Sequence, residues 1–596
     1  MQSLFRILPF ALGLVLGATV ARAGNPPSDP AALLEARGKN QAERLAWWDE
    51  ARFGLMVSYG VPSVPAGVWR NQRIPGEPAD LMAAAGILRD EYRAYAQMLT
   101  AAEYDPGEWV GLAAQAGVRY AVLTAKASDG FALFDSPATN WDAVDAAACH
   151  RDLLRPFLAA CRRNGLRTGL ACSHAIDWMH PGGAMPAGIA RWDPTQSGDF
   201  ESYLKTIARP QVKSLLQDYG SIDLWSWGRG TTIDRAQAES FLALLAAQPA
   251  IVTDQWIGGG LPGDIEVVES DRLPPGRPGV RQEWRIPMNG FWGYSNWQHE
   301  WKPGGQLVCH LVEAASQGAN LVLGVGLDAR GSLPREAVVR LKDIGRWMSV
   351  NAESIHGTSA SPLAPVPWGR CTVRSGPKST TFYLHVLTWP SDRRLVLTGL
   401  EAEVIDARLL ADPGARLKVT PLPRGLSLRV PAFPVDDAVT TIALRVKPGW
   451  KTTAPYCAAT GDGHILLPAE AAELSGAGPV LAGSDLPVLA WWDNASVSVS
   501  WSFLVEEPGD YRVVARYASP QGSKFSIKKE GSEPLYMDSP GTGDWGRIVP
   551  FEVGTFRFDK PGFHRLRLIP APDGWNPLNL RSVELEPVAA KGKKDG

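Results

Sequence analysis

The chain lacks the features that would assign it to several large functional classes. Its 60 basic residues are matched by 62 acidic ones, and no basic run is long enough to follow a phosphate backbone, so nucleic acid is not an expected partner. There are only six cysteines in 596 residues. Cys149, Cys161, Cys172, Cys309, Cys371 and Cys457 lie far apart without a CxxC pair, so neither a disulfide framework nor a zinc site can be read from their spacing. No metal and no cofactor is expected. Apolar runs are short as well. The N-terminal ILPFALGLVLGATV follows Arg6 and precedes Ala21-Arg22-Ala23. That block is too short to span a bilayer comfortably and ends in a small-residue cleavage pattern, which makes residues 1–23 a secretory signal, with an uncleaved anchor as the alternative. With the signal removed no segment is left to span a membrane, and the mature chain is expected to be secreted or periplasmic.

Tryptophan is what the chain has in excess: 23 residues, several in polar, glycine-rich loops. Indole faces left in water are costly unless they stack on a partner, and the flat apolar faces of sugars are a common one in exported proteins. A carbohydrate partner is the first expectation from composition.

Between Trp47 and Val350, strand-like runs (FGLMVSYG, YAVLTAKAS, LRTGLACS, IDLWSWG, AIVTDQW, NLVLGVG) alternate with amphipathic helical ones such as RDLLRPFLAACRRNG and PREAVVRLKDIGRWMSV. Repeated strand and helix units over this length predict an α/β fold, a (β/α)₈ barrel over residues 24–355, with a doubly wound sheet as the alternative. From 356 to 450 the pattern changes to short alternating runs parted by Pro and Gly, which predicts an antiparallel β-sandwich. A linker-like stretch, 451–462, precedes a second all-β unit at 463–588, and a charged tail occupies 589–596. Trp501 alternates with apolar neighbours and is assigned to the core.

Five ordered stretches, WWDEARFGLMVSYGVPSVPAGVW (47–69), YDPGEWVGLAAQAGVRYAVLTAKASDGFALFDS (104–136), WGY (292–294), GANLVLGVG (318–326) and IGRWMSVNAESIHGT (344–358), together resemble the α-L-fucosidases of glycoside hydrolase family 29. The resemblance covers about residues 40 to 450. It implies a cofactor-free retaining glycosidase, in which an aspartate at a strand end attacks the anomeric carbon and a second carboxyl, about 5 Å from the first, protonates the leaving oxygen. It also implies rim histidines and a tryptophan that bind the sugar.

The chain departs from that pattern on the rim. Ser58-Tyr59-Gly60 stands where the family has His-Trp-Gly, and Lys126-Ala127-Ser128-Asp129-Gly130-Phe131 where it has Lys-His-His-Asp-Gly-Phe. Its Trp-Phe-Asp-Gly nucleophile motif aligns with Trp225-Ser226-Trp227-Gly228, so the nucleophile position is Trp227. An indole cannot form a glycosyl ester. GDIEVVES aligns Glu269 with the acid/base position, and Glu283 in RQEWRIP is an alternative carboxylate.

Two functions stay open. One is a re-tooled glycosidase in which Glu269 or Glu283 works with Asp129 or Asp223; inversion would need a carboxyl separation of roughly 6.5 to 9.5 Å. For Asp129 the competing assignment is a loop cap accepting backbone amides, and Asp223, within a strand, reads as structural. The other is a lectin-like protein with an aromatic mouth built from Tyr59, Trp178, Trp225 and Trp227, with Ser58, Lys126, Trp292 and Tyr294 around it and Arg229 available to a sulfate or uronate. For Trp225 and Trp227 ordinary barrel-top packing competes with that role. The second β unit resembles jelly-roll carbohydrate-binding modules, which implies sugar contact by Trp491, Trp492, Trp545, Trp575 and Asn579; a bracing module is the alternative.

Overall fold

A computed structural model describes residues 30–228, 232–483 and 487–588; the signal segment, Arg229 and the tail 589–596 lie outside them. Eight parallel strands build the first domain: β1 Phe53–Ser58, β2 Tyr120–Lys126, β3 Arg167–Cys172, β4 Leu224–Trp227, β5 Val252–Thr253, β6 Glu266–Val268, β7 Gln282–Pro287 and β8 Asn320–Gly326. Sequence neighbours pair in parallel and β8 pairs with β1. One parallel bridge, Asp254 to Ile265, joins β5 to β6 and closes the ring. A doubly wound sheet would keep two open edges, so the closure decides for the (β/α)₈ barrel.

The covering helices form because their apolar positions recur every three or four residues. In Leu154–Arg163 the buried side chains are Leu154, Phe157, Leu158, Ala160 and Cys161, a single stripe. Gly304–Ser316 and Arg335–Asn351 follow β7 and β8. The crossovers from β5 to β6 and from β6 to β7 hold no α-helix; only the 3₁₀ turn Gln255–Ile257 stands there. Inside the barrel, Tyr120, Val122, Ala171, Leu224, Val252, Ile265 and Val322 pack with Leu45 and Trp48 of the helix Gln41–Ala51, which closes the N-terminal end. Gly54 is required there, since a Cβ would lie 2.6 Å from the Tyr120 ring. Arg44 of this helix, and Arg37 of the helix Pro30–Lys39 before it, pair with Asp264 at 2.6 and 2.7 Å.

The β-sandwich faces a four-stranded sheet against a three-stranded one over Phe382, Leu384, Leu395, Leu397, Leu428 and Leu444. It is fastened to the barrel by the Trp347 indole donating to the Val439 carbonyl (2.8 Å) and the Thr372 hydroxyl to that of Ser354 (2.6 Å). The C-terminal unit is a second two-sheet sandwich whose core includes Trp492, Trp501 and Phe503. The stretch 451–462 is anchored in both sandwiches. Lys451–Thr452 pairs with Leu400–Glu401 of the first sandwich, while Cys457 and Ala459 already bridge to Phe503 and Ile465 of the second.

Candidate functional site

In a parallel barrel, chemistry belongs to the C-terminal strand ends. Here the tips of β1 to β4 end in groups turned inward or covered. Ser58 is half-buried. Tyr59 is 5% exposed, stacks on Tyr104 at 5.4 Å and donates to the Ala329 carbonyl. Lys126 is 1% exposed, with its Nζ 2.8 Å from both the Tyr203 hydroxyl and Asp177 Oδ2. Asp177 also accepts from His180 Nδ1 (2.8 Å), whose Nε2 lies 2.7 Å from the Thr139 hydroxyl. Burial opposes the Asp177 charge, but His180 and Lys126 outweigh it and hold the carboxyl well below the usual range. Asp129 is completely buried, accepts from the Tyr92 hydroxyl (2.9 Å) and from its own loop at Phe131 N (3.1 Å), and burial pushes it up to about 7. It has the bonding pattern of a loop cap. Trp178 is fully buried, edge-on to Trp192.

β4 explains itself by alternation. Leu224 joins the interior cluster and Ser226 bonds Asp254 and Arg285 inside the barrel, so Trp225 and Trp227 point the other way, towards the helices. The Trp227 ring packs on Phe241 of helix Arg235–Leu244, on His174 and on Trp225, at 5.8, 4.8 and 5.4 Å. Its Nε1 donates to the Thr253 hydroxyl at 2.7 Å. With no exposure of either Trp225 or Trp227, neither ring offers a face to a sugar.

Behind these tips a charge ladder fills the barrel. Glu283 is the second residue of β7, at the N-terminal end, and accepts from Trp48 Nε1 (3.2 Å), the Tyr120 hydroxyl (2.7 Å) and Arg285 Nε (2.7 Å). Arg285 continues to Ser226 (2.9 Å) and lies 3.5 Å from Asp254, just past β5, under the face of Trp256. Burial raises Asp254 to about 6 against the pull of Arg285. Glu283 therefore stands at the closed end of the barrel, away from the rim. Asp223 is there too, capping Thr168 N at 2.8 Å and pairing with Arg167.

On the β6 to β8 side the groups beyond the strand ends keep some exposure. Glu269 directly follows β6, is exposed and contributes to the field that holds Arg285 protonated. Trp256, after β5, and Trp292 and Tyr294, after β7, are half-buried. Trp292 sits over Gly324, where a Cβ would come within 2.3 Å of the ring, and Tyr294 crosses Gly326 equally closely. Glu77 holds this segment by accepting from Trp292 N and Gly293 N at 2.9 and 2.6 Å. Glu269, Trp292 and Tyr294 therefore stand beyond the C-terminal strand ends, after β6 and over β8, whereas Glu283 lies at the opposite end of the barrel. Sequence reading missed Asp254, Arg285, Asp177 and His180. Asp254 had a signal, a carboxylate immediately after the apolar run AIVT; Asp177 and His180 lie in an irregular loop that offers none.

In the C-terminal unit the five predicted residues divide. Trp492 is fully buried and Trp575 packs on it at 4.9 Å, its indole bonded to the Trp492 carbonyl. Trp491 and Trp545 are 67% and 50% exposed. Asn579 ties them to one end of the unit: its amide donates to the Trp545 carbonyl (2.8 Å), and the adjacent Leu580 pairs with Leu489, two residues before Trp491. Trp491 also carries φ +51°, a left-handed conformation costing an ordinary residue about 1 kcal/mol. Strain spent on holding an indole in water is consistent with a binding role.

Against this geometry the comparisons with known proteins are direct. The family model described as Alpha-L-fucosidase matches residues 31–353, more than half the chain. The chain belongs to the α-L-fucosidase family. Human plasma α-L-fucosidase is 28% identical over 379 residues, 59% of this chain and 78% of the relative. Human tissue α-L-fucosidase is 27% identical over 432 residues, 67% and 88%. The α-L-fucosidase isoenzyme 1 of Paenibacillus thiaminolyticus superposes with a TM-score of 0.61 at 30% identity, covering 68% of this chain and 99% of that one. An α-L-fucosidase from Vibrio sp. strain EJY3 reaches 0.76 at 23% identity over 92% and 98%, a likeness of fold that takes in the C-terminal unit. Membership of the family fixes the barrel; within it, this α-L-fucosidase relative carries tryptophan at the tip of β4.

Proposed function

We propose that this member of the α-L-fucosidase family binds fucosylated or related glycans and does not cleave them by double displacement. One observation carries the reading. The position that the family pattern gives to the nucleophile is Trp227, a buried indole hydrogen-bonded to Thr253, which can neither reach a substrate nor form an ester with it. The strand-tip carboxylates Asp129 and Asp177 are spent on Tyr92, Lys126 and His180, and no rim histidine follows β1 or β2. Binding is then carried by the exposed pair Trp491 and Trp545 beside Asn579, with Trp292 and Tyr294 as a second, weaker contact at the rim. The signal-like N-terminal sequence supports action after export, in the periplasm or outside the cell, with the glycans met there as partners.

The test is an aryl α-L-fucoside assay beside glycan-array binding, both with the full mature chain. No fucose release above buffer is expected, with saturable binding that Trp491→Ala and Trp545→Ala each weaken by about tenfold, the worth of one base- or sugar-sized stacking contact. Fucose release abolished by Glu269→Gln would overturn the reading.

A second reading has one observation in its favour. Asp254, raised to about 6, follows the strand next to the one that carries Glu269, and Glu269 as acid with Asp254 as base would hydrolyse by inversion. That reading requires turnover with inverted anomeric product, lost in Asp254→Asn as well as Glu269→Gln.

A further inference from the structure

The missing helix between β6 and β7 leaves a gap in the barrel's outer layer. Residues 270–281 run through it as an irregular, proline-rich strap, and residues of both β domains join it in lining an open cavity of about 900 Å³. The barrel strap lines it with Leu273, Pro274 and Val280, the first sandwich with Val366 and Leu397, and the C-terminal unit with Val480 and Leu481. Cavities of this size at domain junctions, apolar with a few placed polar groups, are where small molecules bind.

Two further observations say what kind. Val280, Val480 and Leu481, 36%, 49% and 37% exposed, are among the residues that line this cavity. Exposed apolar residues along one concavity form a patch that water penalises and an apolar ligand would cover. Its charges are uneven in their pairing. Arg370 is paired with Glu313 and Arg277 with Glu266. Arg272 instead donates to a neutral group, the Gly483 carbonyl, at 3.0 Å, and among the described residues no carboxylate lies within ion-pair distance of it. Glu470, the remaining lining carboxylate, belongs to the C-terminal wall and disfavours an anion there, leaving Arg272 on the barrel wall as the anion's partner.

We infer that this junction is a second ligand site, one that takes a small amphipathic anion: an apolar chain or ring bearing a single carboxylate or sulfate. The site is independent of glycan binding, shares none of its residues, and stands or falls separately.

The experiment titrates the full mature chain with 8-anilinonaphthalene-1-sulfonate, an apolar ring system with one anionic group, and competes it with laurate, 2-naphthoate and the neutral 1-dodecanol. Saturable fluorescence at a single site is expected. Displacement by laurate would identify a chain as the natural occupant and displacement by naphthoate a ring; either supports the site. Val480→Trp, at an exposed position where a larger side chain enters the cavity, should weaken the dye about tenfold, and Arg272→Gln should weaken laurate but leave dodecanol unchanged. Thermal unfolding of both variants at the parent's midpoint shows that the fold is kept. Fluorescence that does not saturate, or dye affinity untouched by Val480→Trp, overturns the inference.

Discussion

Trp227 changes meaning with its surroundings. An indole enclosed by Phe241, His174 and Trp225 and bonded to Thr253 is a structural member of the helix–barrel interface. Replacing it by aspartate removes a large packed side chain and leaves a carboxylate without water, so Trp227→Asp should lose about 3–5 kcal/mol in denaturant unfolding and gain no fucosidase activity. Recovery of turnover in that variant would mean that β4 can rotate its tip into the mouth. Asp129 gives a prediction of opposite character. Its folded pKa of about 7 lies above the ordinary carboxylate value near 4. The folded state therefore holds the proton longer, and stability present below pH 4 is lost as the pH rises from about 4 to about 7, then stays level. Asp254 adds a slope of the same sign up to about 6, whereas Asp177, held low by His180 and Lys126, contributes stability throughout this window. Asp129→Asn should flatten the fall of unfolding free energy between pH 4 and 7; an unchanged slope would place the loss elsewhere.

At the scale of elements, β7 is the strand the sequence made hardest to interpret. Its carboxylate Glu283 reads as a possible acid because residue type and strand context are visible, while its depth in the barrel is not. Depth follows from where the strand starts: Gln282 is the first residue, so Glu283 faces Trp48 of the N-terminal plug. Six of the eight strands were legible as apolar runs, all but β6 and β7, and so were the helices with an apolar stripe. Two features were not: the crossovers without helices, whose polar, proline-rich sequence resembles any loop, and the outward turn of Trp225 and Trp227, since a four-residue apolar strand does not reveal which face is which. The ladder through β7 is testable. Arg285→Met leaves Glu283 and Asp254 buried without their cation and should cost about 3–5 kcal/mol, with part recovered in the double variant carrying Glu283→Gln as well. Additive losses would show that Trp48 and Tyr120 alone suffice for Glu283.

Across the whole molecule, the three domains are joined to different degrees. Val439 of the first sandwich belongs to the barrel's own core, and Trp347 bonds its carbonyl, so barrel and first sandwich should unfold together. The C-terminal unit has a separate core and is entered across residues 453–456. Its ties to the rest are largely polar and peripheral, such as Arg394 with Glu506 at 2.7 Å, Arg394 to the Ala459 carbonyl and Arg272 to that of Gly483. Exposed pairs of that kind contribute at most about 1 kcal/mol each, too little to couple two cores into one transition. Calorimetry of the full chain should therefore resolve two unfolding events, and residues 456–588 produced alone should fold with the midpoint of one of them. Because Trp491, Trp545 and Asn579 all lie within it, the isolated unit should bind glycans as the full chain does. The barrel and first sandwich, without the wall that holds Val480, Leu481 and Glu470, should lose saturable binding of the anionic dye while keeping their own midpoint. A single cooperative transition for the full chain would show that the contacts between the cores couple them, and an isolated unit that folds but binds no glycan would place the recognition surface at the barrel rim around Trp292 and Tyr294 and make the third domain a brace for the helix-free side of the barrel.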